Sequence, residues 1–305
     1  MKSVQFACPR CHGDLDKTAE GELRCATDSL IFKHRDGIQL FLLPERERHY
    51  ARFISEYETI RHFEGRGSPD PAYYRALPFE DLSGRFSKDW KIRAKSFNEL
   101  KRLIAKHSPA DQPLHIVDLG AGNGWLSNQM ARQGHHVIAV DLLVNREDGL
   151  GAWKYYQSQF TPVQAEFTHL PLFDQSVSLV LFNASFHYAE SYEETLLETL
   201  RVLQPNGLIV VMDSPVYQGA ESGEQMVLER KRDFLSRYGF ASDAIRSENY
   251  LTYERMEELA RKTGIRWEHV RPFYGMRWAI RPWLARLRRT REPAEFGLWV
   301  GRTWA

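Results

Sequence analysis

The stretch that decides the fold is His115–Leu143, HIVDLGAGNGWLSNQMARQGHHVIAVDLL. It predicts an apolar strand, a glycine-rich turn, a helix and a second apolar strand that ends in an acid. Strands and helices go on alternating through TPVQAEF, VSLVLFNA and GLIVVMD. Such alternation is typical of a parallel sheet that helices cover on both faces. We therefore predict an α/β, Rossmann-like fold with a ligand site beyond the carboxyl ends of the strands.

Two acids beside the glycine turn restrict the ligand. Asp118 stands two residues before Gly120, and Asp141 ends the second strand, 21 residues after Gly120. A dinucleotide site uses G-x-G-x-x-G to hold an anionic pyrophosphate, which an acid at the strand tip would repel. The spacing here is G-x-G-x-G, completed by Gly122 and Gly124. This arrangement favours S-adenosylmethionine, which carries ammonium and sulfonium charges and no phosphate; a tight turn without a ligand is the alternative.

Four segments carry a resemblance to a known family. They are VDLGAGNGWLS, VIAVD, QAEFTHLPLFDQSVSLVLFNASFHY and LRVLQPNGLIVVMD, in this order within about residues 92–213. Together they resemble the class I S-adenosylmethionine-dependent methyltransferases of the type-11 group. The resemblance implies a seven-stranded sheet with helices on both faces, in which IRWEHVRPF and FGLWVGRT form the last two strands.

The same resemblance assigns parts of the cofactor to residues. It implies that Asp118 and the glycines hold the methionine end, that Asp141 holds the ribose, and that Glu166 with Phe167 meets the adenine. Aspartate is usual in the family where Glu166 stands, so this contact departs from the pattern. The expected cofactor-binding residues are Asp118, Gly120, Ala121, Gly122, Gly124, Asp141, Leu142, Glu166, Phe167 and Asn183.

The candidate catalytic residue is His187, in FNASFHY after the fourth strand of the sheet. Methyl transfer by direct in-line displacement depends on orienting two reactants more than on a covalent nucleophile. A general base is needed only where the accepting atom must lose a proton, and an unperturbed histidine, with a pKa of about 6.5, suits that task. A histidine that only packs at the start of a helix is the alternative.

The three cysteines lie near the N-terminus and suggest a metal site. Cys8 and Cys11 form C-x2-C and Cys25 follows, which gives three thiolates where tetrahedral zinc takes four ligands. Asp28 stands three residues after Cys25 and is the first candidate for the fourth ligand. The other candidates are His12 and His34. A ribbon that has lost its metal is the alternative to a structural zinc site.

The chain divides into three predicted parts. Residues 1–44 form a zinc-ribbon-like module, and residues 45–110 form a helical lid or linker. Residues 111–305 form the methyltransferase domain, with insertions at about 214–250 and 272–294. The first part resembles the zinc ribbons ahead of certain ribosomal RNA guanine methyltransferases, and also the small ribbon proteins that activate methyltransferase partners.

The expected acceptor is a small or medium-sized organic molecule. The insertion at 214–250 mixes both charge signs with apolar residues, and it follows the fifth strand, where the family often builds a substrate lid. RNA is the second candidate, because segment 271–291 carries seven arginines and no acid, with aromatic residues between them. An amphipathic helix that packs its Trp and Leu residues on the core is the alternative for this segment. A third possibility is a non-catalytic, methyltransferase-like binding subunit.

The composition of the chain limits the expected binding partners and the expected location of the protein. The 305 residues include 41 Lys and Arg against 40 Asp and Glu, so no overall charge draws the chain to polyanions. No apolar run approaches the ~20 residues of a membrane span. The opening MKSVQFACPR lacks the apolar core of a signal peptide. We therefore expect a protein of the cytoplasm.

Overall fold

The computed structural model describes residues 5–107 and 112–303. The strands are β1 (Asp16–Lys17), β2 (Leu23–Cys25), β3 (Leu30–Phe32), β4 (His34–Arg35), β5 (Ile38–Leu40), β6 (His115–Leu119), β7 (His136–Asp141), β8 (Thr161–Gln164), β9 (Val177–Asn183), β10 (Leu203–Met212), β11 (Val216–Tyr217), β12 (Leu251–Thr252), β13 (Arg266–Val270) and β14 (Leu298–Arg302). The α-helices are α1 (Pro44–Phe63), α2 (Pro71–Ala76), α3 (Ser87–His107), α4 (Trp125–Ala131), α5 (Tyr192–Val202), α6 (Ala220–Tyr238), α7 (Tyr253–Thr263), α8 (Met276–Ala279) and α9 (Arg281–Arg288). Two short 3₁₀ helices span Leu150–Tyr155 and Phe186–Tyr188.

The central sheet confirms the predicted α/β architecture. Its strand order is β13-β14-β10-β9-β6-β7-β8-β5-β4. The first seven of these are the predicted strands, and IRWEHVRPF and FGLWVGRT supply β13 and β14 as expected. Strand β14 runs antiparallel to both of its neighbours, while β10, β9, β6, β7 and β8 pair in parallel. Parallel pairing brings the carboxyl ends of β6 and β7 to one edge, where the ligand site was predicted.

Two strands from the N-terminal segment extend the sheet beyond the seven expected. Strand β5 pairs in parallel with β8, through Gln39 opposite Val163 and Leu40 opposite Gln164, and β4 pairs antiparallel with β5. The division into a ribbon-like module, a helical segment and a catalytic domain stays a prediction. Its second boundary, between residues 110 and 111, lies outside the described residues.

Alternation along the strands divides the core between the two faces of the sheet. In β6, Val117 and Leu119 pack in one buried cluster, and Ile116 packs in the other. Because successive side chains of a strand point to opposite faces, a strand buried on both sides reads as a continuous apolar run. The residues of α3 that cover the second face recur at helical spacing: Trp90, Phe97, Leu100 and Ile104. No helix of the described residues is both long and apolar enough to cross a membrane.

Between β7 and β8 the chain forms only the 3₁₀ helix Leu150–Tyr155, although the alternation of strands and helices favours an α-helix at this point. The Asn145 side chain accepts hydrogen bonds from the backbone amides of Glu147, Asp148 and Gly149. The Gly151 amide then donates to the Asn145 carbonyl over 3.0 Å. These amides are held in a turn around Asn145, so the α-helical ladder cannot begin at 147.

Candidate active site

The glycine turn between β6 and α4 forms the floor of a cleft of about 650 Å³. Gly120 has a φ of +75°, and a Cβ on it would lie 2.3 Å from the Ser185 Cβ. Gly124 has a φ of +78°, and a Cβ there would lie 2.8 Å from the Phe160 ring. Glycine is therefore required at both positions by the backbone conformation and by the space available.

Most of the predicted cofactor residues lie on the wall of this cleft. The eight that line it are Gly120, Ala121, Gly122, Asp141, Leu142, Glu166, Phe167 and Asn183. Asp118, in β6 below the turn, and Gly124, the last glycine of the turn, do not line the cleft. The turn is fixed from below, since the amides of Gly120 and Ala121 both donate to the Val140 carbonyl of β7.

Asp141 joins the end of β7 to the glycine turn. Its Oδ2 accepts a hydrogen bond from the Gly122 amide and its Oδ1 accepts one from the Leu143 amide, each over 2.8 Å. Burial raises the pKa of Asp141 to about 6, against the opposing effect of these amide donors. The carboxylate therefore stays mainly ionised at neutral pH, and each oxygen keeps a lone pair for a ligand.

Asp118 is buried under the turn, with 1% of its surface exposed. Ser127 donates to its Oδ2 over 2.7 Å, whereas Oδ1 has no hydrogen-bond partner among the described residues. Burial raises the pKa of Asp118 to about 7, and the nearby charge of Asp141 adds to this effect. A cation bound above the turn would compensate this acid and favour its ionised form.

Glu166 already has strong partners from α1, which the sequence did not indicate. The Arg46 Nε lies 2.7 Å from its Oε1 and the Arg46 Nη2 lies 2.7 Å from its Oε2. Tyr50, one turn further along α1, donates to Oε2 over 2.9 Å, and His169 lies 3.0 Å from Oε1. Although burial alone would raise it, the donors His169 and Arg46 lower the pKa of Glu166 to about 2. The carboxylate is thus ionised and largely satisfied within the protein.

Asp213 is a further buried acid on the cleft, besides Glu166 and Asp148, and the sequence analysis did not single it out. It directly follows β10, has a φ of +55° and lines the cleft with 6% of its surface exposed. Ser96 of α3 donates to its Oδ1, while Oδ2 is buried without a hydrogen-bond partner in the described residues. Burial raises the pKa of Asp213 to about 6. The only sequence signal was an acid at the end of GLIVVMD, the tip of a central strand.

Arg93 supplies a positive charge close to Asp213. Its guanidinium lies 4.7 Å from the centroid of the Trp90 ring and lines the cleft. None of the ion pairs formed by the described residues includes Arg93, whereas the neighbouring Arg61 pairs with Asp148. A guanidinium held in place by a ring, without an acid partner, is free to bind an anionic or carbonyl group of a ligand.

His187, the predicted base, lines the cleft with 8% of its surface exposed. Its Nδ1 lies 3.2 Å from the Ser214 Oγ. Burial, together with the charge of Arg230, lowers the pKa of His187 to about 3. The imidazole is therefore neutral at pH 7 and well suited to hydrogen bonding, but it is a weaker base than the unperturbed pKa suggested.

A second cluster of chemical groups lies in the N-terminal segment. Single ligand atoms of Cys8, Cys11, Cys25 and Asp28 all lie within 4.8 Å of one another. The Asp28 Oδ2 is 3.2 Å from the Cys8 Sγ and 3.4 Å from the Cys25 Sγ, and the Cys11 and Cys25 sulfurs are 3.5 Å apart. Tetrahedral zinc with Zn–S bonds of about 2.3 Å requires sulfurs about 3.8 Å apart, so this set fits the ion. Among the described residues, His12 and His34 are not part of the cluster.

The central part of the chain is similar to known proteins. Residues 117–211 match the family described as a methyltransferase domain, Methyltransf_11. The chain is 33% identical to malonyl-[acyl-carrier protein] O-methyltransferase 1 of Coxiella burnetii over 32% of this chain and 33% of that protein. It is 31% identical to dimethylglycine N-methyltransferase of Parasynechococcus marenigrum over 47% of this chain and 52% of that one. The chain therefore spans from a third to about half the length of these relatives.

The fold itself has counterparts among solved structures. A candidate sarcosine dimethylglycine methyltransferase from Galdieria sulphuraria superposes with a TM-score of 0.51 and 15% sequence identity. The superposition covers 81% of this chain and 98% of that chain. At this identity the likeness extends to the fold alone.

Proposed function

We propose that the chain, whose residues 117–211 match the methyltransferase domain family, transfers the methyl group of S-adenosylmethionine to a small or medium-sized organic acceptor. The observation that carries the proposal is a pair of acids at neighbouring strand ends, of which Asp118 is buried and Asp141 is partly buried. Asp118 and Asp141 lie at the glycine turn, one behind it and one on the cleft wall. Two carboxylates favour a cationic ligand there and oppose a pyrophosphate.

The residues present suit this cofactor. The Asp118 Oδ1 is a buried acceptor that lacks a partner among the described residues, at the side of the turn where the methionine ammonium would bind. Each carboxylate oxygen of Asp141 accepts one hydrogen bond from a backbone amide and keeps a lone pair for a ribose hydroxyl. Phe167 offers its ring to the adenine, and Leu142 adds an apolar contact on the same wall. Glu166 has less capacity for the adenine amine than the family pattern implies, because Arg46 and Tyr50 occupy both of its oxygens.

The acceptor end of the cleft is supplied by Asp213 and Arg93. When bound, S-adenosylmethionine supplies an electrophilic methyl group for a single in-line displacement. Asp213 is positioned to receive the proton of an O–H or N–H acceptor on its unpartnered Oδ2, since a pKa of about 6 leaves it ionised at neutral pH. Arg93 can hold an anionic or carbonyl group of the acceptor nearby. His187, neutral at this pH, can orient the acceptor by a hydrogen bond, in place of the predicted role as base.

The remaining contribution of the chain is to position two reactants and to exclude water. Positioning alone accounts for ~7–11 kcal/mol in well-aligned intramolecular reactions. The helix α1 contributes by placing Phe53 and Tyr57 along the cleft, where Tyr57 packs edge-on against Tyr188 at 5.9 Å. These rings form an apolar wall beside the charged residues, which keeps the cleft selective for organic acceptors.

We also propose that Cys8, Cys11, Cys25 and Asp28 hold a structural zinc ion. The support is the donor set, three sulfurs and a carboxylate oxygen within 4.8 Å of one another. Three of these residues are linked by short contacts through the Asp28 carboxylate, which brings β2 and the Cys8–Cys11 turn together. A zinc ion would complete a closed four-ligand site, which is typical of a structural role.

Calorimetry of the purified chain with S-adenosylmethionine and with NAD tests the cofactor assignment. We expect binding of S-adenosylmethionine, loss of this binding in Asp141→Asn, and unchanged binding in Asp233→Asn, which alters a surface acid of α6. Uptake of NAD without uptake of S-adenosylmethionine would overturn the proposal.

The class of acceptor is tested by incubating the protein and methyl-labelled cofactor with fractionated metabolite extract and, separately, with total RNA. Labelled small molecules support the proposed acceptor class, labelled RNA supports the second class, and cofactor binding without any labelled product indicates a non-catalytic subunit.

A further inference from the structure

The insertion that contains α8 and α9 exposes a continuous row of large apolar side chains. Their exposed fractions range from 42% to 69%. The residues are Phe273, Met276, Ile280, Trp283 and Leu287. From Met276 onward the spacing is four, three and four residues, which is the spacing of one helical face, and it continues across α8 and α9, which meet at Ile280. We refer to these five residues as the apolar row.

The apolar row departs in part from the alternative of a cover helix that packs its Trp and Leu side chains on the core. Trp278 and Leu284 are partly buried, whereas Trp283 is 64% exposed and Leu287 is 68% exposed. The opposite side of the segment is what holds it to the protein. Trp278 stacks on Phe296 with 5.4 Å between ring centroids, and the Arg281 guanidinium lies 3.3 Å from the Trp278 centroid. The apolar row is thus presented outward on an anchored element.

Positive charge surrounds the apolar row. Segment 271–291 has seven arginines and no acid. Four of its arginines are exposed and take no part in the ion pairs of the described residues. They are Arg277, Arg286, Arg288 and Arg289. The surface therefore combines uncompensated guanidinium groups with exposed apolar side chains over the same two short helices.

We propose that this surface docks the protein on an anionic lipid bilayer, with the apolar row inserted among the acyl chains and the arginines at the headgroups. A helix with one apolar and one basic face is the element that binds in the plane of such an interface. A second copy of the chain fits less well, because its arginines would face these arginines. RNA would use the arginines and the rings of Phe273 and Trp283, but Met276, Ile280 and Leu287 would gain nothing from it.

The proposed docking surface lies close to the acceptor end of the cleft. Tyr274, within the same insertion, lies 2.8 Å from the Ser96 Oγ, which in turn binds Asp213 at the acceptor end of the cleft. Phe296, on which Trp278 stacks, lines the cleft. Docking would therefore bring the acceptor end of the cleft to the bilayer. This consequence rests on the proposed function, whereas the docking itself does not.

Vesicle sedimentation of the full-length chain tests the proposal without any measure of activity. We expect sedimentation with vesicles of phosphatidylglycerol and phosphatidylcholine, little with phosphatidylcholine alone, and a decrease with rising salt. The double variants Trp283→Ala/Leu287→Ala and Arg288→Glu/Arg289→Glu should each lower the bound fraction at least fivefold. Leu197→Ala and Arg261→Glu alter an exposed leucine and an exposed arginine on other helices and should leave it unchanged.

Three results would overturn the proposal. One is that all variants sediment equally with neutral and anionic vesicles. A second is that the protein does not sediment with vesicles but binds a single-stranded RNA, oligo(U), and that Arg288→Glu/Arg289→Glu abolishes this RNA binding. The third is a dimer in analytical ultracentrifugation that Trp283→Ala/Leu287→Ala dissociates, together with no vesicle binding. Circular dichroism melting curves confirm that each variant is folded before these comparisons. Cofactor binding measured in parallel keeps failure of docking distinct from failure of the proposed function.

Discussion

The guanidinium of Arg46 binds the carboxylate of Glu166 in a bidentate manner, with Nε 2.7 Å from Oε1 and Nη2 2.7 Å from Oε2. The pair joins α1 to the residue that follows β8 by two positions, across 120 residues of sequence. It therefore attaches the helix that follows the N-terminal segment to the central sheet, at the edge of the cleft.

Arg46→Ala should destabilise the protein by about 2–3 kcal/mol, because removing one partner of a buried pair costs ~3–5 kcal/mol and Tyr50 and His169 keep part of the stabilisation. The free energy of unfolding from urea titration measures this loss. Arg48→Ala is the matched control, since Arg48 is an exposed arginine of the same helix that forms no ion pair with an acid among the described residues. An unchanged midpoint in Arg46→Ala would show that Glu166 is held without it.

Gly120→Ala should abolish cofactor binding and lower stability, because the new Cβ would lie 2.3 Å from the Ser185 Cβ at a φ of +75°. Gly134→Ala is a control for the backbone alone: Gly134 has a φ of +89°, and nothing lies within 4 Å of its added Cβ. We expect Gly134→Ala to cost about 1–2 kcal/mol and to leave the cofactor Kd unchanged. Calorimetry and urea titration of both variants separate the two effects, and equal losses would contradict the steric explanation.

Affinity for S-adenosylmethionine should increase as pH rises towards 7. Burial raises the pKa of Asp118 to about 7, so this acid is mainly protonated at pH 6 and must lose its proton to meet a cation. The Kd should therefore fall by up to about tenfold per pH unit below this value and level off above it. Calorimetry between pH 5.5 and 8.5 measures the slope, and Asp118→Asn should flatten it. A Kd independent of pH in the unmodified protein would remove Asp118 from the cofactor site.

Asp213→Asn should lower kcat by a factor of about 10²–10⁴ if the acceptor loses a proton, while the cofactor Kd stays unchanged. In the unmodified protein kcat should rise with pH through about 6, where Asp213 ionises. His187→Gln should have the smaller effect on kcat and act mainly on KM, because the pKa of His187 is lowered to about 3. A larger loss of kcat in His187→Gln than in Asp213→Asn would restore the histidine as the base.

The purified chain should contain one zinc ion, measured by inductively coupled plasma mass spectrometry. Asp28→Ala should reduce the zinc content and lower the Tm, since a structural ion stabilises the folded state that binds it. Asp16→Ala changes an exposed acid in the same segment that lies outside the ligand cluster and should do neither. Absence of zinc after reconstitution with excess metal would favour a ribbon that has lost its ion.

The sequence predicted the parts of the molecule that depend on local patterns. The apolar runs of β6, β7 and β9 and the glycines between β6 and α4 determine the sheet and the turn through short-range rules. The place of Asp141 beside the glycine turn could be predicted from its distance to Gly120 along the chain. The three cysteines and Asp28 come together as their spacing indicated.

What the sequence did not predict depends on partners far apart in the chain. Arg46 is one of many charged residues in α1, and only the folded structure shows that it meets Glu166. In the sequence Asp213 is only an acid at the end of a strand, and the structure shows that Ser96 of α3 donates a hydrogen bond to its carboxylate. The exposure of Trp283 and Leu287 could not be predicted either, because a helical period indicates which face is apolar but not which neighbour that face packs against.

The pairing of β5 with β8 has a further consequence for the assembly of the sheet. Without the hairpin of β4 and β5, the backbone groups of Thr161–Gln164 would form an unprotected border of the sheet. Such a border recruits strands from other molecules. The hairpin of residues 34–40 therefore covers this border against self-association, and we expect a chain without it to gain solubility from a peptide that takes the place of Ile38–Leu40.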